Sequence, residues 1–350
     1  MRLLKTTPYL TFLFSLLAIS PAAGNKLRVV TTTTDLMSIA QAVGGEYVSV
    51  NSISSGKQDP HFIEAKPSYV LQLRKADLFI RIGLQLERGW ERLVLESSRN
   101  ARIQVGSEGH LDASAGIERL EVPITPGDRS LGDVHPEGNP HYWLDPYNAR
   151  IVANTIARRL AALNPEDEAE YNRRAEQFIR RIDEAMFGEA LMVHEDPEHL
   201  WRLGLEGKLD QYLESGRAVD GNPIPASHEG WYVTMRPFKG TKVVTYHRSW
   251  SFFLRRFGLV SVGELEAKPG IAPSPGHLKE LIESMKQHEV PLIIVASFKG
   301  DKTPNLVASK TGARVVKVPY SVGGNDQAAD YIALMDHLVS RISHALTQSK

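Results

Sequence analysis

Short β-branched runs alternate with helix-spaced segments along most of this chain, and that order restricts it to parallel sheets covered by helices. Residues 27–32 (LRVVTT), 47–53 and 77–82 (DLFIRI) read as strands. Between them lie helical segments at 36–43, closed by Gly44-Gly45, and at 67–75, opened by Pro67. A further helix is predicted over 86–97 and a short strand over 103–105. The rhythm returns late in the chain. Strands are predicted at 242–246 (KVVTY), 292–297 and 314–318, with helices at 249–257, at 275–288 behind the capping Ser274, and from Gln327 to Ala345.

Two long helices separate these halves. Residues 145–163 place Ile151, Val152, Thr155, Ile156 and Leu160 on one face. Asn164-Pro165 restarts the chain, and a second helix to Phe187 carries the stripe Tyr171, Ala175, Phe178, Ile179, Ile182 and Met186. At 1.5 Å per residue it spans roughly 33 Å, enough to bridge two lobes. The expected plan is a segment 1–23, a first α/β lobe over 24–145, a helical connection over 146–187 and a second α/β lobe over 188–350. Residues 188–240 fit the rhythm poorly and read as an insertion. Residues 121–140 are rich in proline and glycine and read as a loop carrying Asp128, Asp133, His135 and Glu137.

The first residues carry a targeting pattern. Arg2 and Lys5 precede an apolar run over 10–19, and Ser20, Ala22, Ala23 and Gly24 follow. That is a cleaved secretory signal, too short for the ~20 residues that cross a bilayer. The sequence has no cysteine. It therefore offers neither a disulfide nor the cysteine that a lipid anchor requires. The expectation is an exported, unlipidated protein of the periplasm, monomeric and not inserted in the membrane. The 41 basic residues equal the 41 acidic ones, which argues against a nucleic-acid partner.

With no thiolate, a metal site must use imidazoles and carboxylates. Three of the 12 histidines fall in loops next to predicted strand or helix ends, where parallel sheets build their sites. His61 follows Asp59-Pro60, with Pro60 fixing the turn and restricting Asp59. His141 follows Asn139-Pro140 and precedes Tyr142 and Trp143. His247 comes immediately after KVVTY. Taken singly, each also fits a loop histidine, a helix entry or a strand-end histidine paired with a carboxylate. Asp326 and Asp330, four apart near the last helix, are carboxylate candidates; a helix cap or a first-turn charge explains them as well. An accessory metal site is conceivable at His135, or at His194 and His199 in the insertion, where a charged surface turn is the plainer reading.

Taken together, the linked motifs DPH, PHYWLDP and YH carry a resemblance. The stretches VVTTTTDLMSIAQAVGGEYV, SGKQDPHFIEAKPSYVLQLRKADLFIRIG, NPHYWLDPYNARIVANTIARRL, VVTYHRSWSFFLRRFGL and KPGIAPSPGHLKELI resemble the metal-binding solute proteins of zinc and manganese ABC importers, the ZnuA-like family. The likeness covers about 27–187 and 240–345. It implies an α/β fold of two Rossmann-like lobes joined by one long rigid helix, with the metal between the lobes. It implies His61, His141 and His247 as nitrogen ligands and an aspartate near the last helix as the fourth. Asp330 is the nearer match and Asp326 the alternative, since Ala329 stands where the family's aspartate falls. Manganese-binding relatives carry a carboxylate where this chain has His247. The implied cargo is Zn2+, with Mn2+ the lesser candidate, and the implied partner is an ABC importer permease in the inner membrane.

Three imidazoles and a carboxylate suit four-coordinate zinc, whereas manganese takes more oxygen ligands. A shell filled by protein leaves no position for activated water, which points to carriage. A zinc hydrolase would need an open position and a base; H-E-x-x-H, G-x-S-x-G and P-loop motifs are all missing from the sequence. A periplasmic zinc buffer or adhesin would need the same site as a carrier.

Overall fold

The structure, a computed structural model, describes residues 26–123, 135–216, 221, 229–268 and 270–349. The proposed signal segment, and Asp128 and Asp133 of the loop, lie outside them.

The first lobe contains β1 (Leu27–Thr31), α1 (Thr34–Gly44), β2 (Val48–Ser52), α2 (Pro67–Lys75), β3 (Leu78–Arg81), α3 (Glu91–Ser98) and β4 (His110–Asp112). The middle of the chain is helical: α4 (Pro146–Leu163), α5 (Glu168–Phe187), α6 (Glu189–Met192), α7 (Pro197–Leu205), α8 (Leu209–Glu214) and α9 (Trp231–Met235). The second lobe contains β5 (Lys242–Thr245), α10 (Ser251–Phe257), β6 (Val260–Glu264), α11 (Pro275–Gln287), β7 (Leu292–Ala296), α12 (Lys302–Thr311), β8 (Arg314–Val318) and α13 (Tyr331–Thr347).

Both sheets are fully parallel and share one topology. Their orders are β2-β1-β3-β4 and β6-β5-β7-β8. The first strand of each lobe lies inside its sheet, so strand order reverses beside it and a crevice opens at the carboxyl ends. In β7 (LIIVA) every residue is buried, as expected of a strand covered on both faces.

The two long helices form as the periodicity predicts. In α5 the buried residues Tyr171, Ala175, Phe178, Ile182 and Met186 recur at helical spacing. Asp145 caps α4 by accepting from Tyr147 N, and Pro146 occupies its first turn. The α5 helix packs against α4 and α1 on one side and against α9 and α13 on the other. It thereby ties the two halves together. One continuous core runs from Val29 through Ile156 and Phe178 to Phe253 and Leu338.

Four local expectations differ from the structure. Residues 101–103 form a 3-10 turn capped by Asn100, and the edge strand is His110–Asp112. That strand is held by backbone pairing to β3, which side-chain propensity does not report. Residues 84–90 make turns before α3, because Gly83, Leu84 and Gln85 all take positive φ and cannot enter a helix. The last helix begins at Tyr331, since turn bonds such as Gly323 N to Ala328 O occupy the preceding segment. The residues read as an insertion include four short helices, α6 to α9. No helix among the described residues is long and apolar enough to cross a membrane.

The lobes meet along a bonded seam. Trp143 Nε1 donates to Tyr320 O at 3.1 Å, and Tyr331 Oη donates to Trp143 O at 2.6 Å. Tyr331 N donates to Ser38 Oγ at 3.0 Å. Gly56 lies backbone to backbone against the second lobe: a Cβ there would stand 2.0 Å from Val322 O and 2.6 Å from Gly324 N. Gly56→Ala is therefore expected to wedge the seam, at a cost of about 1–3 kcal/mol or more. Calorimetry should show a lower Tm; an unchanged Tm would mean that the two backbones can separate without loss.

Asp35 is buried at the same seam and accepts from Val322 N at 3.0 Å. Burial raises its pKa to about 7, against the opposing hydrogen bonds from Val322 and Ser321. The folded chain thus holds this proton to higher pH than the unfolded chain, whose aspartate titrates near 3.9. The associated stability is complete below about pH 4 and is lost as pH rises towards 7. Asp35→Asn, which keeps an acceptor oxygen, should raise Tm at pH 8 and change it little at pH 4. Equal shifts at both pH values would contradict this assignment.

Candidate metal centre

Two turns with the same construction present the first two imidazoles. In Asp59-Pro60-His61, Asp59 Oδ1 accepts from His61 N at 3.2 Å and pairs with His61 Nδ1 at 2.8 Å. In Asn139-Pro140-His141, Asn139 Oδ1 accepts from His141 N at 3.0 Å and meets His141 Nδ1 at 2.7 Å. The side chain two residues upstream therefore fixes both the backbone turn and the ring. Each ring keeps Nε2 turned the other way. Asn139 also reaches the second lobe through Arg248 O at 2.8 Å.

His247 follows β5 in the second lobe. Its Nδ1 stands 3.3 Å from Glu266 Oε2, without the alignment of a hydrogen bond. One ligand nitrogen from each of His61, His141 and His247 lies within 4.8 Å of the other two. His141 is almost fully buried, and Nε2 has no hydrogen-bond partner among the described residues. Tyr320 packs against His141 with ring centroids 5.8 Å apart, and Trp143 packs at 5.4 Å. Tyr246, Trp250 and Phe298 complete the wall around His61 and His247.

The charges behind the rings are joined across the seam. Lys299 Nζ lies 3.2 Å from Asp59 Oδ2 and 3.6 Å from Glu266 Oε2. Burial pushes the Asp59 carboxyl up, but the His61 ring and the Lys299 charge outweigh it and hold the group below the usual carboxylate range. Glu266 follows the same pattern, with burial opposed by His247 and Lys299. Lys299 thus joins Asp59, behind the His61 ring, to Glu266, beside the His247 ring. Burial, and then the neighbouring histidines, push His141 well below its ordinary value, which keeps it neutral and able to donate a lone pair.

The remaining sequence candidates fall elsewhere. Asp330 is exposed and caps α13, accepting from Ala333 N at 2.9 Å. Asp326 is exposed in the turn before that helix, so the two do not share a helical face. Neither joins the three histidines in the one metal-type cluster found among the described residues. His199 accepts from Arg202 and stacks on Tyr212, and His194 lies between α6 and α7; they form no such cluster. His135 stands beside the main site and not at a separate one, with Nε2 3.2 Å from His61 Nε2. Glu266 and Lys299 were not anticipated, because nothing local to either marks it as a partner of a distant loop. Asp59 was legible, since Pro60 restricts it two residues ahead of the ring, whereas Asn139 was read only as the residue before Pro140 and His141.

Comparisons with known proteins follow the same lines. The family model of ZnuA, the periplasmic component A of the zinc-uptake complex, matches residues 29–186 and 229–345. The manganese ABC transporter substrate-binding lipoprotein PsaA of Streptococcus pneumoniae is 27% identical over 348 residues, covering 97% of both chains. The metal ABC transporter substrate-binding lipoprotein FimA of Streptococcus parasanguinis is 23% identical over 347 residues, again covering 97% of both. Among solved structures, a zinc-bound ZnuA deletion mutant aligns with TM-score 0.66 at 21% identity, covering 92% of this chain and 98% of the other. A manganese-bound periplasmic metal-binding protein from Candidatus Liberibacter asiaticus aligns with TM-score 0.64 at 20% identity, covering 92% and 100%. Two parallel α/β lobes in this order, together with a family match across both of them, identify the chain as a member of the ZnuA family of periplasmic metal-binding components of uptake complexes.

Proposed function

We propose that this chain captures a divalent metal ion in the periplasm, zinc in preference to manganese, and delivers it to the permease of an ABC importer. The observation that carries this reading is the meeting of three imidazoles from two lobes within 4.8 Å. His61 and His141 come from the first lobe and His247 from the second, so a bound ion cross-links the lobes. Zinc is favoured because imidazole nitrogens suit a borderline cation, while manganese is better served by oxygen donors. Fixed, ring-anchored histidines are what high affinity requires, since partners on the second ring nitrogen set both orientation and basicity. In this reading the ion is cargo and not a catalyst.

The relatives named above are lipoproteins, whereas this sequence has no cysteine. We read the exported chain as monomeric. The bonded seam favours small loop movements over hinge closure, so the radius of gyration should stay the same when zinc is added. The decisive experiment loads the purified protein with equimolar zinc and manganese and measures the retained metal. One zinc per chain is the expected result. Retained manganese would overturn the preference, and no retained metal would overturn the carrier.

A further inference from the structure

We propose that His135, on the loop ahead of α4, supplies the fourth ligand of the ion, so that the site is built from four imidazoles and not from three with an aspartate. This rests on the carrier reading above.

Two observations support it. First, His135 Nε2 lies 3.2 Å from His61 Nε2, and that nitrogen of His61 is the one turned away from Asp59. Two nitrogens bound to one tetrahedral zinc at ~2.0–2.1 Å stand about 3.3–3.4 Å apart. The pair thus already has the separation that a shared ion imposes. Second, the His135 ring is in ring contact with His61, at 5.2 Å between centroids, and with His141, at 6.1 Å.

The carboxylates near α13 do not compete for this role. The Asp330 carboxylate is committed to capping that helix, and Asp326 is exposed. His135 itself stands outside the tight triangle of His61, His141 and His247. Ion binding closes that gap by drawing the His135 ring in over the site. Four nitrogen donors also strengthen discrimination against manganese.

The test compares the full-length wild type with His135→Ala, using zinc titration against a chelator and X-ray absorption at the zinc edge. Wild type should show four imidazoles around zinc. His135→Ala should lose one imidazole and bind zinc at least about tenfold more weakly, while His194→Ala changes neither. Unchanged affinity with an unchanged imidazole count in His135→Ala would overturn the role of His135 and leave the carrier intact. Failure of the wild type itself to bind zinc would overturn the carrier instead. Thermal unfolding of the variant without added metal, at the wild-type Tm, separates ligand loss from misfolding.

Discussion

Replacing His141 with alanine is expected to remove zinc retention, with a loss of affinity beyond the roughly 10–100-fold that follows from losing a group which only orients a ligand. His141 is the central ring of the site. Its centroid lies 5.0 Å from that of His61, 5.7 Å from His247 and 6.1 Å from His135. It is only 1% exposed, so water cannot easily replace the lost nitrogen. Its Nε2 is a buried polar atom with no hydrogen-bond partner among the described residues, an arrangement that costs stability unless something occupies the site. The measurement is a zinc titration in competition with a chelator. Asn139→Ala provides the internal comparison: it removes the acceptor on Nδ1, together with the bonds to His141 N and Arg248 O, but leaves the ligand nitrogen in place, and should fall inside the 10–100-fold range. Wild-type affinity in His141→Ala would show that the three rings do not share an ion.

The largest effect on stability is expected from Asp145→Ala. Asp145 is fully buried, and Arg256 meets it from the second lobe through two parallel bonds, Nε to Oδ1 at 2.7 Å and Nη2 to Oδ2 at 2.9 Å. The guanidinium is stacked 4.9 Å over Trp201 and 5.5 Å over Tyr147. Removing the carboxylate leaves a buried cation without its counter-charge, which costs about 3–5 kcal/mol. The same carboxylate caps α4 by accepting from Tyr147 N, and a lost cap adds ~1 kcal/mol. Guanidinium unfolding should show a lower midpoint with an unchanged slope. The double variant Asp145→Leu, Arg256→Leu should recover part of the loss, because it removes both charges together. A loss below about 1 kcal/mol in Asp145→Ala would mean that solvent reaches Arg256 once the aspartate is gone.

The histidine turns show how far the sequence reaches by itself. In Asp59-Pro60-His61 and Asn139-Pro140-His141 the orienting oxygen is two residues from the ring it holds, and proline fixes the backbone between them. The strands β1, β5, β7 and β8, and the paired helices α4 and α5, were equally legible, because helical and extended periodicity are properties of consecutive residues. Edge strand β4 was not, since its three residues pair through the backbone with β3 and carry little propensity of their own.

What tertiary structure alone decided is which distant groups meet. Nothing near Glu266 or Lys299 in sequence shows that Lys299 joins Asp59, behind His61, to Glu266, beside His247. Nothing near Arg256 points to Asp145, 111 residues away. The start of α13 made Asp330 a helix cap, and the packing of the loop ahead of α4 brought His135 to His61. Local sterics and periodicity act over a few residues and are written in the order of the chain. Contacts across the seam depend on how two sheets and a long helix pack, and that packing is settled by the burial of the whole core at once.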